Sequence, residues 1–449
     1  MKKPLLMLIF VLIYQSSFAQ KIVQKDPAIE DLVAQISSDS LKATILKLVS
    51  FGTRATLSST TDAKKGIGAA RNWALGRFQE FAKQSDGRMT VKIENWMLKP
   101  DGKRINKDQE IGNVMATLKG TDPNDNRIFL VSGHIDSRNT NVMDGENTAP
   151  GANDDGSGTA AVIELARVMA KAKFGATVIF LIVSGEEQGL LGAEYLSQKA
   201  VDEKWNIEGI LNNDICGSNN SSETQIIDNT KVRIFSEGLP AFDIEKRAAS
   251  IRNLGQENDG KARQLARYTK EIGERYVDNL EVVMVYRNDR FLRGGDHTPF
   301  VNKGFPAVRI TEMNENYEHQ HQDVRTENGV KYGDFPEFMD FEYLRKNTAM
   351  NCATLSALAK APATPQNVTI DTKRLTNSTT LFWQKPKSGV VKGYYVLVRE
   401  TYQPFWQKKI FTNKNGIVLP YSKDHYYFAV QSIGEDGNES LPIIPKVGM

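Results

Sequence analysis

Apolar and polar positions divide this chain into stretches of different texture. Over residues 26–50 and 63–84 apolar residues recur at helical spacing, Ile29, Leu32, Val33 and Ile36 in the first and Ala70, Trp73, Ala74 and Phe78 in the second. That spacing predicts outer helices, each burying one face. From 89 to 183 β-branched runs take over, and VKIENWM, GNVMATLKG, RIFLVSGH and ATVIFLIVSG predict strands around one helix from about Thr159 to Ala172. Strands that are apolar at nearly every position are buried on both faces. The alternation of strand and helix from Arg127 onward therefore predicts an α/β fold, a mainly parallel central sheet covered by helices on both faces. Residues 225–281 read as mostly helical and charged. The strands LEVVMVY and PAVRITE follow, and a helix at about 337–359 closes the domain.

At Lys360 the texture changes. APATPQNV reads as a linker, and TTLFWQK, GYYVLVRE, QKKIF, GIVLP and HYYFAVQSIG then alternate at the spacing of a small all-β sandwich. The expected domains are 20–360 and 361–449, behind a leader at 1–19. In that leader Lys2 and Lys3 precede the apolar run Leu5–Ile13, and Ser17-Phe18-Ala19 stands before Gln20, the form of an export signal. The run is too short to span a bilayer, which takes about 20 apolar residues. The mature chain is expected to be exported (periplasmic, secreted or at the cell surface), with no membrane span.

The net charge is +3 over 449 residues and is spread out, which argues against a nucleic-acid partner. The basic run Lys261–Arg267 reads as a solvated helix face. Cys216 and Cys352 permit one disulfide but are expected as two separate buried thiols, and with no Cys pair at zinc-ligand spacing any metal must be held by His and carboxylates.

Such a set is present. Three apolar runs stop at polar motifs: His134 and Asp136 after IFLVSG, Glu186 and Glu187 after TVIFLIVSG, and Asp214 after GILNN. In open α/β sheets the ligand crevice lies beyond the carboxyl ends of the strands, so these residues should converge there. The loop GANDDGSG adds Asp154 and Asp155, and EHQHQD adds His319 and His321. His134, Asp154, Glu187, Asp214 and one His of the 319–321 cluster could hold two divalent ions bridged by a carboxylate. Glu186, beside a ligand, could shuttle a proton.

The order HIDS, GANDDGSG, SGEEQGLLG, NND and HQHQD resembles the co-catalytic zinc aminopeptidases of peptidase family M28, over nearly all of residues 110–355. The resemblance implies two zinc ions, one on His134, Asp154 and Asp214 and the other on Glu187, His319 and the shared Asp154. It also implies a zinc-bridged water with Glu186 as general base, Asp136 orienting His134, and a cis peptide between Asp154 and Asp155. His319 is preferred over His321 because its spacing to Asp323 fits the family pattern. One departure is that Glu318, not a Tyr, precedes His319, with Tyr317 one place further back. Asp296 and His297 resemble a segment near the family's substrate pocket and receive no role as ligands. The tail resembles a fibronectin type III module with Trp383 and Tyr427 as core aromatics, and His425 reads as a surface residue. The implied activity is removal of N-terminal residues from peptide substrates. The alternatives are a single-zinc glutaminyl cyclase and a non-catalytic binding protein of the same fold. Side-chain specificity, preference for an amino or carboxyl terminus and oligomeric state are not legible.

Overall fold

The structure, a computed structural model, describes residues 25–239, 241–373 and 375–447, with the backbone alone over 241–247. The expected leader at 1–19 lies outside the described residues. The stretch 26–50 forms two helices, α1 (Pro27–Ala34) and α2 (Ser38–Val49), because Asp26 and Ser37 each cap a new start. After α3 (Gly66–Ala82) come β1 (Met89–Leu98), β2 (Gln109–Leu118), β3 (Arg127–His134), α4 (Gly156–Met169), β4 (Thr177–Val183), α5 (Leu191–Asp202) and β5 (Asn206–Asn213). Then follow β6 (Lys231–Phe235), α6 (Ala241–Leu254), α7 (Lys261–Tyr276), β7 (Glu281–Val285), α8 (His297–Asn302), β8 (Ala307–Glu312), the hairpin β9 (Arg325–Glu327) and β10 (Val330–Tyr332), and α9 (Phe341–Lys360).

One eight-stranded sheet has the order β1-β2-β4-β3-β5-β8-β6-β7. Its centre, β4-β3-β5-β8, is parallel, while β2 and β6 join it antiparallel, so the sheet is mixed around a parallel core. The central strands are buried along almost their whole length, as their continuous apolar runs require. Two buried clusters line the sheet: a larger one shared with α2, α3, α4, α7 and α9, and a smaller one with α5 and α8. Strand β6 corrects the helical reading of 225–281, since Lys-Val-Arg-Ile-Phe alternates and enters the sheet beside β8. Helix α9 begins at Phe341, capped by Asp340, after a single 3-10 turn at Pro336–Phe338.

Beyond α9, β11 (Gln366–Ile370), β12 (Thr379–Gln384), β13 (Gly393–Glu400), β14 (Lys408–Thr412), β15 (Gly416–Leu419), β16 (Tyr426–Ile433) and β17 (Lys446–Val447) form two sheets, β15-β12-β11-β17 and β14-β13-β16. Trp383 packs in their shared core with Tyr394. Tyr427 does not: its hydroxyl donates to the Gly255 carbonyl at 2.5 Å, so it faces the helices of the larger sheet.

The basic run at the start of α7 is likewise not solvated. Arg263 and Arg267 are buried, and Arg267 pairs with Asp259, which also takes Arg399 from β13. Arg275 and Lys409 meet on the buried carboxylate of Glu439, and Lys360 meets Asp26 with Asn438. These bonds fix the two sheets of the tail onto α1, α7 and α9. Both cysteines are free and buried. No helix among the described residues is long and apolar enough to cross a membrane.

Candidate metal centre

Three strand ends and two loops meet at the carboxyl edge of the parallel core. His134 is the last residue of β3, Glu186 and Glu187 follow β4, Asp214 follows β5, and Asp154 precedes α4. The buried carboxylate of Asp155 ties this edge together, accepting from the backbone N–H groups of His134, Gly158 and Ile215 at 2.9, 2.8 and 3.2 Å. Close approach at Gly158 makes this possible, because a Cβ there would lie 2.2 Å from the Asn213 carbonyl oxygen. The peptide between Asp154 and Asp155 is cis.

Two triads share Asp154. One is His134, Asp154 and Asp214, the other Asp154, Glu187 and His321, and within each the donor atoms lie within 4.8 Å of one another. His134 Nε2 is 3.3 Å from Asp154 Oδ1 and 3.9 Å from Asp214 Oδ1. His321 Nε2 is 2.7 Å from Asp154 Oδ2 and 3.0 Å from Glu187 Oε1.

His319, expected in this place, is elsewhere. Its ring stacks on Phe338 at 3.7 Å, and burial there drives its pKa down to about 4. The backbone turns at Asn316, whose carbonyl accepts from both His319 and Gln320, and the turn sends the two imidazoles apart. Asp323, whose spacing favoured His319, sits at the surface and accepts from the Thr140 N–H at 3.2 Å.

Asp136 also differs in part from expectation. His134 Nδ1 is bonded to its backbone carbonyl at 3.0 Å, while its carboxylate lies 3.7 Å from that nitrogen. The carboxylate instead accepts from the N–H groups of Gly185, Glu186 and Glu187 and from Thr56 Oγ1, so it shapes the loop that carries the two glutamates.

The electrostatics fit a cation. The Asp136 carbonyl beside Nδ1 leaves His134 Nε2 facing Asp154 and Asp214, so the nitrogen that meets the two carboxylates must carry positive charge there, a proton or a metal ion. Burial alone would lower the pKa of His134, but Asp155, Asp136, Asp154 and Asp214 hold it well above the ordinary value. Burial also opposes His321, which Glu187 and Asp154 raise to about 10. The buried Oε1 of Glu187 faces only His321 Nε2, at 3.0 Å and out of line for a regular hydrogen bond. Glu186, partly open to the cleft, is pushed well above the usual carboxylate range by desolvation and by Glu187 and Asp214. Asp214 is held low by Arg309 against its burial, with Arg309 Nη2 at 2.8 Å.

Sequence reasoning missed three residues. Asp334 accepts from the N–H of Asn153 and of Asp154 at 2.9 and 2.7 Å and so positions the shared aspartate. Arg54, fully buried, binds the carbonyls of Ile135, Pro150 and Gly151. Arg309 lies inside an ordinary-looking strand. None stands in a motif; only position in space identifies them. Of the two residues left without a role, His297 Nε2 bonds the Asn288 carbonyl at 2.7 Å. Asp296 is buried with neither carboxyl oxygen hydrogen-bonded, and burial pushes its pKa to about 8.

This chain is similar to known proteins. Residues 113–332 match the sequence pattern of Peptidase family M28. A Leptosphaeria maculans protein named "Probable zinc metalloprotease" is 45% identical over 421 residues, covering 94% of this chain and 97% of its own. A Pyrenophora tritici-repentis protein of the same name is 44% identical over 427 residues, covering 94% and 88%. Among solved structures, the Legionella pneumophila LapA aminopeptidase is similar with a TM-score of 0.53 at 17% identity, covering 77% of this chain and 78% of its own. The aminopeptidase of Aneurinibacillus sp. strain AM-1 is similar with a TM-score of 0.52 at 15% identity, covering 73% and 95%. At such identities the likeness is one of fold.

Proposed function

Since this chain belongs to peptidase family M28 and is a zinc-dependent peptidase, we propose that it is an exported aminopeptidase working with two zinc ions. The observation that carries the reading is the pair of triads meeting on Asp154. His134, Asp154 and Asp214 would hold one ion, and Asp154, Glu187 and His321 the other. Bound there, the ions would supply Lewis-acid polarisation of the scissile carbonyl and a water of lowered pKa.

The chain supplies the rest. Glu186, next to the proposed ligand Glu187 and lining the cleft with the two triads, is placed to take a proton during attack and return it to the leaving amine. Asp136 holds the backbone under Glu186 and Glu187, and its carbonyl sets the His134 tautomer. Two triads rather than one favour hydrolysis over the single-zinc cyclase alternative. Export rests on the leader at 1–19, and removal of N-terminal residues rests on the resemblance to the family's zinc aminopeptidases. The tail, likened to a fibronectin type III module, would act as a fixed accessory, given its bonds to α7 and α9.

The test is metal content alongside hydrolysis of leucine p-nitroanilide. About two zinc ions per chain are expected, with activity lost in chelator and restored by zinc. Glu186→Gln should keep the metal and lose about 10²- to 10⁴-fold in kcat. Undiminished hydrolysis in chelator would sink the proposal.

A further inference from the structure

Apart from the two triads and Glu186, the charged side chains lining the cleft above them are arginines. The cleft holds about 300 Å³, and Arg104, Arg290 and Arg293 border it. No acid outside the triads and Glu186 is among its described lining residues. Arg104 is anchored beside the triads, its Nη1 donating to the Glu187 carbonyl at 2.6 Å. Arg290 and Arg293 belong to the loop between β7 and α8, and both reach Glu315 Oε2, at 3.0 and 3.5 Å.

Glu315 does not neutralise them pair by pair, because it also takes Arg233 at 2.6 Å. Asp289, 3.3 Å from Arg290, is shared with Arg309 and His297. Among the described residues Arg104 and Arg293 each commit a single guanidinium nitrogen to the protein, leaving the others free for a ligand. Held guanidiniums with unspent donors in a partly enclosed cleft match a carboxylate in shape and in charge.

We infer that Arg104, Arg290 and Arg293 select substrates carrying a carboxylate close to the scissile bond. This rests on the peptidase reading above and gives it a substrate class. The carboxylate has two possible sources: an acidic N-terminal side chain, or the free carboxyl terminus of a short peptide.

Two substrate pairs separate the sources on the full, zinc-loaded chain: glutamyl against glutaminyl p-nitroanilide, and dialanine against dialanine amide. In at least one pair the carboxylate member is expected to be favoured on the order of tenfold or more in kcat/KM. The favoured pair identifies the source. Arg293→Ala and Arg104→Ala, both at exposed positions that a folded chain tolerates, should shrink that ratio severalfold. To read selection without turnover, dialanine, dialanine amide, glutamyl amide and glutaminyl amide are titrated into zinc-loaded Glu186→Gln chain by calorimetry. Equal affinities within both pairs, or a preference unchanged in both arginine variants, overturn the inference. Zinc-dependent hydrolysis of the neutral members in that case leaves the peptidase reading standing.

Discussion

Among the described residues, two of the buried clusters of charge are built on opposite plans. Where the tail meets α7, Arg275 and Lys409 face Glu439 and Glu271, and Arg267 and Arg399 face Asp259. Each carboxylate there has a cation from the same chain, and Lys409 and Arg275 hold the pKa of Glu439 low despite its burial. At the carboxyl edge of the sheet, Asp154, Asp155, Glu186, Glu187, Asp214 and Asp296 crowd together with two histidines and Arg309. There burial and mutual repulsion push Asp155, Glu186 and Asp296 upward. A cluster that balances itself can serve as a fastener. One left with surplus negative charge is stable only with cations from outside, protons or metal ions.

The largest expected effect comes from removing a donor on the unbalanced side. His321→Ala leaves Asp154 and Glu187 without their imidazole, so zinc bound by the chain should fall and peptidase activity drop by about 100-fold or more. Metal analysis after gel filtration, read beside kcat/KM, checks this. Full metal retention would mean that the two clusters differ less than their geometry states.

On the balanced side Glu439→Gln leaves Arg275 and Lys409 with the half-exposed Glu271 as their remaining carboxylate. Breaking such a network from one partner costs about 3–5 kcal/mol, seen as a lower denaturant midpoint and faster proteolysis near the tail. Zinc content should stay at the wild-type level. Parallel loss of zinc would show that the clusters are coupled rather than separate.

Acidity should act on the two clusters with opposite sign. Glu439 has a lowered pKa in the folded state, so its stabilisation is present above its unfolded value of about 4 and is lost as pH falls through the folded one. Asp296, raised to about 8, binds a proton more tightly when folded. Its contribution is complete below its unfolded value, also about 4, and is lost as pH climbs toward 8, at up to about 1.4 kcal/mol per pH unit. Melting curves of the metal-free chain from pH 4 to 8 should therefore fall on the alkaline side, and Asp296→Asn should flatten that limb. An unchanged limb would remove Asp296 from the account.

The unbalanced cluster was the more legible of the two in the sequence. His134, Glu186, Glu187 and Asp214 follow strands buried on both faces, which write themselves as unbroken apolar runs and so announce where they end. The balanced cluster left no such trace: Arg267 and Arg275 look like ordinary polar positions on a helix, and Asp259, Arg399 and Glu439 become partners only through packing between distant segments. Strand β6 was hidden for a related reason, since five alternating residues among charged neighbours carry little periodic signal. Asp334 reaches Asp154 across an inserted hairpin, where spacing gives no guidance. Between His319 and His321 the sequence offered only a spacing to Asp323, whereas the turn at Asn316 decides which imidazole faces the carboxylates.

The smallest expected effect follows from that turn. His319 has no acidic partner in either triad, and its ring contacts Phe338, so His319→Ala removes a stacked pair worth about 0.5–1.5 kcal/mol and no ligand. Stability should fall by that amount, with zinc content and kcat near wild type, and His319→Phe should recover most of the loss because the contact is between ring faces. The variant is informative because His319 lies two residues from His321 on the same turn, so a mere disturbance of the loop would affect both positions. If His319→Ala released zinc as His321→Ala is expected to, the metal would be held by a rearranged turn, and the surplus charge around Asp154 would have to be balanced by a different imidazole.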